Sequence, residues 1–139
     1  MSLGTTLTRK VITAGPKDSL AQAAKLMEQN NVGAIVVIER NRPVGIVTDR
    51  DLALAALVRG FSADDHIQTV MAYPVSTIRE DEGILDATHQ MMTLGVRRLP
   101  IVDKLEHLVG MVTLDDLLLL LGRELHNMSE GVRAEISAG

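Results

Sequence analysis

Two short segments carry the residue types best suited to chemistry: Gly45-Ile46-Val47-Thr48-Asp49-Arg50-Asp51 and Gly110-Met111-Val112-Thr113-Leu114-Asp115-Asp116. Each sets a threonine at the end of an apolar run and an aspartate three residues later, where a helix is set to begin. A hydroxyl and a carboxylate so spaced can satisfy the free N–H groups of a first helical turn. The same pair can hold a ribose diol, while the N–H groups and the helix dipole favour a phosphate. The two uses are compatible, and the type of residue alone does not choose between them.

The pattern occurs twice because the chain contains a repeat. Sliding the sequence by 64 residues sets Val11 on Val75, Thr13 on Thr77, Ala23 on Ala87, Met27 on Met91 and Val32 on Val96. Beyond a turn one residue longer, an offset of 65 sets Gly45 on Gly110, Thr48 on Thr113, Asp51 on Asp116 and Leu54 on Leu119. Self-similarity at a fixed period decides the architecture before any single element does.

Each copy reads as the same series of elements. Val11 to Thr13 and Val75 to Ile78 are β-branched entries. Helices follow, starting near Asp18 or Ser19 and near Glu82. Leu20, Ala23, Ala24 and Met27, like Ile84, Ala87, Met91 and Leu94, have helical spacing. Val32 to Ile38 and Val96 to Val102 are continuous apolar runs suited to buried strands. Second strands, Val44 to Val47 and Leu108 to Val112, lead into helices near Thr48 and Thr113. The predicted fold is α+β, with two β-α-β-β-α repeats assigned to residues 1–60 and 74–121. Phe61 to Ala72 is predicted as a connecting helix within residues 61–73, with Ser62 and Asp65 as its cap. Residues 122–139 are predicted as a helical extension or tail, in which Leu125, Met128, Val132 and Ile136 prolong an apolar stripe. Gly4 to Lys10 would be a shortened counterpart of the connector, and Met1 to Leu3 join no pattern, as a remnant of expression would not.

A doubled β-α-β-β-α unit with Gly-apolar-x-Thr-x-x-Asp before its last helix resembles a tandem pair of cystathionine-β-synthase (CBS) domains, over residues 5 to 121. The resemblance implies two repeats about a pseudo-twofold axis, with a cleft on either side binding an adenine nucleotide or adenosyl ligand. AMP, ADP or ATP is the implied class, with S-adenosylmethionine or NAD as alternatives. Carried over by position, one cleft pairs Thr48 and Asp51 with Thr77, Ile78, Val96, Arg97 and Arg98. The other pairs Thr113 and Asp116 with Thr13, Ala14, Val32, Gly33 and Ala34. Arg97 and Arg98 give only the first cleft basic groups, and guanidinium forks suit phosphate; solvated charge is their alternative reading. Adenine would be read by backbone near Thr77-Ile78 and Thr13-Ala14, although both threonines also serve as ordinary strand residues.

Composition narrows the function classes. The chain has 139 residues, a net charge of −4, 46% apolar residues and no cysteine, and its only aromatics are Phe61 and Tyr73. A base must therefore be clamped by aliphatic groups, no thiolate site exists, and no broad basic face suits a nucleic acid. No apolar run approaches a membrane span, and a cytoplasmic setting is expected. His66, His89, His107 and His126 are scattered, Asp64-Asp65-His66 reads as helix-start charge, and the methionines other than Met1 read as core. No nucleophile elbow, phosphate loop or dinucleotide fingerprint appears. A non-catalytic regulatory module is expected, against the alternatives of a scaffold with vestigial clefts or a nucleotide-processing enzyme. Leu52, Leu54, Leu57, Leu117, Leu118, Leu120 and Leu121 make two apolar helix faces, predicting a homodimer.

Overall fold

In a computed structural model, which describes Leu3 and residues 11–138, the two repeats fold into separate three-stranded sheets. The first holds β1 (Thr13–Ala14), β2 (Ala34–Glu39) and β3 (Arg42–Thr48), in that order. β1 runs parallel to β2, with Thr13 opposite Val36, and β3 returns antiparallel. The second holds β4 (Ile78–Arg79), β5 (Arg98–Val102) and β6 (Leu108–Thr113) with the same pairing. α1 (Leu20–Asn30) and α3 (Ile84–Leu94) cross between the parallel strands. α2 (Asp49–Leu57) and α4 (Leu114–Ala138) close the units.

Local chemistry sets these boundaries. Gln22 N donates to Ser19 Oγ at 3.1 Å, starting α1, and Leu20, Ala23 and Met27 turn one stripe inward. Asn31 ends α1 at a φ of 52°, and Gly95 ends α3 at 68°. These left-handed positions suit Asn and Gly, which lack the steric penalty of a bulkier side chain. Ile35, Val36 and Val37 are wholly buried, as a strand covered on both faces requires.

Each core is completed by the other repeat's leading segment. Leu3, fully buried, joins Ile78, Ile84, Ala87, Met91, Leu99, Ile101, Val112 and Leu117 in the second core, and its N–H donates to Glu82 O at 2.9 Å. The counterpart, 64 residues on, is Ile67, also fully buried, in the first core among Leu20, Ala23, Met27 and Ile35. Ile67 N donates to Asp18 O at 2.8 Å, the position matching Glu82. Leu3 therefore joins the repeat pattern from which Met1 to Leu3 were expected to be absent. The expected partial counterpart at Gly4 to Lys10 lies outside the described residues, as do Met1, Ser2 and Gly139 of the outer segments.

The connecting helix expected over Phe61 to Ala72 is not formed; only a 3-10 turn, Ile67–Thr69, interrupts an extended path. Its backbone bonds outward instead. Asp65 O accepts from Leu20 N, Ala63 O from Ala21 N, and Gln68 N donates to Pro16 O. Ser62 and Asp65 close a turn, Ser62 N donating to Asp65 Oδ2 at 2.7 Å, rather than capping a helix. Tertiary hydrogen bonds and one deep apolar anchor have replaced the helical ladder. The closing helix does continue, α4 running unbroken for 25 residues through Gly122 and Gly131.

Candidate functional site

Both Thr-x-x-Asp sets form complete capping boxes. Asp51 N donates to Thr48 Oγ1 at 3.1 Å, and Thr48 N to Asp51 Oδ2 at 2.9 Å. The second set repeats this at 3.2 Å for both bonds, between Asp116 N and Thr113 Oγ1 and between Thr113 N and Asp116 Oδ2. Each box uses the hydroxyl and one carboxylate oxygen, Oδ2; the second oxygen lies outside the box. Capping accounts for the spacing in full, so any ligand must use the same side chains without breaking the cap.

Position 34 of repeat one and position 98 of repeat two lie beside these caps. Ala34 is the register partner of Thr48 across β2 and β3, and Arg98 that of Thr113 across β5 and β6. One residue earlier, the carbonyl of Gly33 accepts from Asp49 N at 3.0 Å and that of Arg97 from Leu114 N at 2.8 Å. These bonds pin each strand entry to the first turn of its own repeat's closing helix.

Two of the cavities between the repeats are related by the repeat offsets. The larger, about 250 Å³, is lined by Val11, Ile12, Val32, Gly33 and Ala34 of repeat one and by Arg98, Met111 and Thr113 of repeat two. Among the described residues its walls are aliphatic, with one guanidinium and one hydroxyl. The smaller, about 140 Å³, is lined by Ile46, Ala72, Pro74, Val75, Ser76, Val96, Arg98 and Leu99. The repeat offsets relate Val11 and Ile12 to Val75 and Ser76, Val32 to Val96, Ala34 to Arg98, and Met111 to Ile46. They are thus the pseudo-symmetric pair of clefts, differing in what fills them. Ala72 lies against β3 beside the smaller one, Ile46 N donating to Ala72 O at 3.1 Å and Ala72 N to Ile46 O at 2.8 Å. Gly45 permits that approach, since a Cβ there would meet Met71 Sδ at 2.5 Å and Ala72 O at 3.0 Å.

The structure groups the sequence-predicted residues only in part. Thr113 and the run Val32, Gly33, Ala34 share the larger cavity, while Asp116 stands behind it in the cap, buried. Val96 and Arg98 share the smaller one, but Thr48 and Asp51 do not line it. Arg98 lines both, so the basic group is not confined to one cleft as expected. Arg97 is exposed and lines neither. Thr13-Ala14 and Thr77-Ile78, expected to read adenine through their backbone, are not among the lining residues of either cavity. Ala14 and Ile78 are core residues, Thr13 pairs with Val36, and the carbonyl of Thr77 accepts from Gln90 Nε2 at 2.9 Å. The cavity walls come from two residues upstream, Val11-Ile12 and Val75-Ser76, which the 64-residue offset also aligns. Met111 was read simply as core, although it forms a cavity wall.

Of the histidines, His66, His89 and His126 are exposed, and the described residues contain no cluster of metal-ligating groups. Asp64 and Asp65 belong to the turn of the linker, not to a helix start. Met27 and Met91 are core, whereas Met92 and Met128 are exposed. Among the described residues no helix is long and apolar enough to cross a membrane.

Two α+β repeats, each capping its closing helix with Thr-x-x-Asp and enclosing a cleft against the other, define a tandem-repeat module with paired clefts. Comparison with known proteins makes the class specific: the CBS domain pattern matches residues 3–57 and 67–123, and the chain belongs to the CBS-domain family. It is 39% identical over 116 residues to the CBS domain-containing protein YhcV of Bacillus subtilis, covering 84% of this chain and 82% of that one. It is 37% identical over 120 residues to protein MK0525 of Methanopyrus kandleri, covering 85% of this chain but only 61% of that one. Among solved structures, the CBS domain pair of protein MJ0100, in complex with 5'-methylthioadenosine and S-adenosyl-L-methionine, superposes with a TM-score of 0.77 at 27% identity. That match covers 89% of this chain and 98% of that one.

Proposed function

We propose that this chain is a non-catalytic regulatory module that binds an adenine nucleotide or related adenosyl ligand, of the AMP, ADP or ATP class, in the larger of its two pseudo-symmetric cavities. The observation that carries this reading is the joining there of aliphatic walls, Arg98 and the Thr113 hydroxyl at a helix N-terminus. Aliphatic side chains clamp the base in a chain nearly free of aromatics. Arg98 and the first-turn N–H groups of α4 favour the phosphate. The MJ0100 pair, whose complex holds two adenosyl compounds, supports the ligand class. At about 250 Å³ the cavity is slightly below the roughly 300–1,000 Å³ of enclosed drug-sized sites. A nucleoside therefore fits inside while its phosphate stands at the mouth. Because both repeats line the cavity, a ligand that binds one arrangement of them more tightly shifts their equilibrium, and a partner or fused domain in the cytoplasm reads that shift.

Thermal unfolding with AMP, ADP, ATP, NAD, S-adenosylmethionine and methylthioadenosine is the test. A ligand at 100 times its Kd adds about 2.7 kcal/mol, a rise of several degrees. No rise with any of them at millimolar concentration would leave the scaffold reading, which the complete capping boxes favour. Ligand recovered chemically altered would instead indicate an enzyme.

The same reading includes self-association, with a changed surface. Leu117 is fully buried in its own core and Leu52, Leu120 and Leu121 pack against theirs, so these four are not free to form the expected interface. Leu118, Leu125, Met128, Val132 and Ile136 of α4 are each more than half exposed. They offer about 600 Å² per chain, or about 1,200 Å² for a pair, the lower end of stable interfaces. A second copy laid along α4 covers them, and Leu54 and Leu57 remain at the periphery. Monomeric mass by light scattering at micromolar concentration would count against this.

A further inference from the structure

The two β-hairpins meet at the strand ends opposite the paired clefts, and there they gather basic groups from both repeats. Among the described residues, a cavity of about 580 Å³ at this junction is lined by Glu39, Arg40, Arg42 and Val44 of the first hairpin and by His107, just before β6. None of these lines either cleft. Ala34, at the cleft end of β2, is five residues from Glu39, about 16 Å along a strand.

The turn holds its arginine in an unusual conformation. Glu39 pairs with Arg42 across the strands, so Arg40 and Asn41 form the turn, at φ values of 52° and 67°. A two-residue turn of this kind needs positive φ at both positions and favours Asn or Gly; a long side chain there is uncommon. Asn41 O accepts from Leu108 N at 2.8 Å, which fixes the turn against the second repeat beside His107. Neither the Arg40 nor the Arg42 guanidinium has an ion-pair or hydrogen-bond partner among the described residues. The nearby Asp103 is taken up by its own turn, Oδ1 accepting from Leu105 N and His107 N. In the described lining, the Glu39 carboxylate faces two guanidinium groups and an imidazole.

We propose that this junction is a phosphate site, taking inorganic phosphate or the phosphate group of a small monoester between Arg40, Arg42 and His107. Guanidinium groups pair phosphate oxygens through parallel N–H bonds, and an imidazole N–H adds a donor from the second repeat. The cavity has room for a small organic group beside the anion. The site does not depend on the adenosyl reading, which concerns the clefts at the other strand ends. An anion held there bridges the hairpins where the bond from Leu108 N to Asn41 O already joins them.

Two-dimensional NMR of the intact chain, titrated with sodium phosphate at constant pH and ionic strength, is the test. The expected result is saturable shifts of the Asn41, Arg42 and Leu108 amides. The dissociation constant should rise at least fivefold in Arg40→Gly and in Arg42→Gln, about threefold in His107→Ala, and less than twofold in Arg59→Gln, an exposed arginine outside the cavity. Glycine adopts positive φ freely, so Arg40→Gly should unfold at or above the parent's temperature, and its lost binding then reports the guanidinium rather than the fold. Glycerol 3-phosphate shifting the same amides at lower concentration than phosphate marks a monoester as occupant, and a response to phosphate alone marks the free ion; both support the site. Shifts that do not saturate, shifts that sodium chloride reproduces, or an affinity unchanged in Arg40→Gly and Arg42→Gln would overturn it. Shifts confined to the Gly33 and Ser76 amides would place phosphate in the clefts, overturning this site while leaving the adenosyl reading intact.

Discussion

Replacing Leu3 by alanine tests whether the exchange of apolar anchors between repeats holds the pair together. Leu3 is fully buried among eight other core residues of the second repeat, although it precedes the first. Its backbone bond to Glu82 survives the substitution, so the change isolates side-chain burial. Removing a fully buried leucine side chain leaves a cavity and costs about 2–5 kcal/mol. Taking about 3 kcal/mol and roughly 3–5 °C per kcal/mol for a chain of this size, Tm falls by about 10 °C. Leu57→Ala is the control, since Leu57 is 85% exposed and its loss should cost under about 0.5 kcal/mol. Calorimetric unfolding of both variants beside the parent gives the answer. A Tm for Leu3→Ala within 2 °C of the parent would refute the reasoning, because it would mean that the N-terminal anchor adds no stability to the second core.

Other substitutions test single contacts. Gly45→Ala forces a Cβ against Met71 and the Ala72 carbonyl, so the linker must leave β3. The expected loss is about 1–3 kcal/mol in urea unfolding, and an unchanged midpoint would show that the linker yields freely. Thr48→Ala and Thr113→Ala each remove a cap and should cost about 1 kcal/mol. Only Thr113→Ala should also weaken the adenosyl ligand, because Thr113 alone of the two lines a cavity; equal effects on calorimetric affinity would contradict this. Asp103 Oδ1 accepts from His107 N at 3.0 Å and Leu105 N at 2.9 Å in the β5–β6 turn, and the His107 bond foremost holds its carboxyl below the ordinary 3.8. A depressed folded value means stability that is present above the unfolded value and lost as pH falls through the folded one. The parent should therefore exceed Asp103→Asn in urea midpoint at neutral pH, with the gap closing below about pH 3.8; a gap independent of pH would exclude the carboxylate as its source.

What could be read from the sequence followed the range of the interactions. The repeat, both capping sets and the four helices flanking the strands depend on neighbours within a turn, so spacing exposed them. The fold class, two α+β repeats of the CBS pair, followed from those elements. Ile67 and Leu3 depend on partners more than ten residues away, and a single apolar residue in a tether has no period to betray it. The clue that existed was the repeat itself: the 64-residue offset carried back to the N-terminus places Leu3 on Ile67. The connector misled because Ser62 and Asp65 have the spacing of a cap whether they begin a helix or close a turn. Only the bonds from Ala63, Asp65 and Gln68 to the other repeat decide between the two.

The site was legible to a different depth. Val32, Gly33 and Ala34 of the first repeat and Thr113 of the second line one cavity, a grouping expected from the pairing of the repeats and not from register within either sheet. The role of Arg98 escaped because its side chain is long enough to line two cavities, and a length of side chain leaves no mark on spacing. The anchors and the arginine then bear on one another. Each repeat's core depends on a segment leading into the other, so the two sheets cannot separate without exposing Leu3 or Ile67. A ligand bound in either cleft would therefore act on a pair whose separation is opposed at both ends, and the motion left to it would be a change of angle between the two sheets. Arg98, on β5, lines both cavities, so its side chain bears on either.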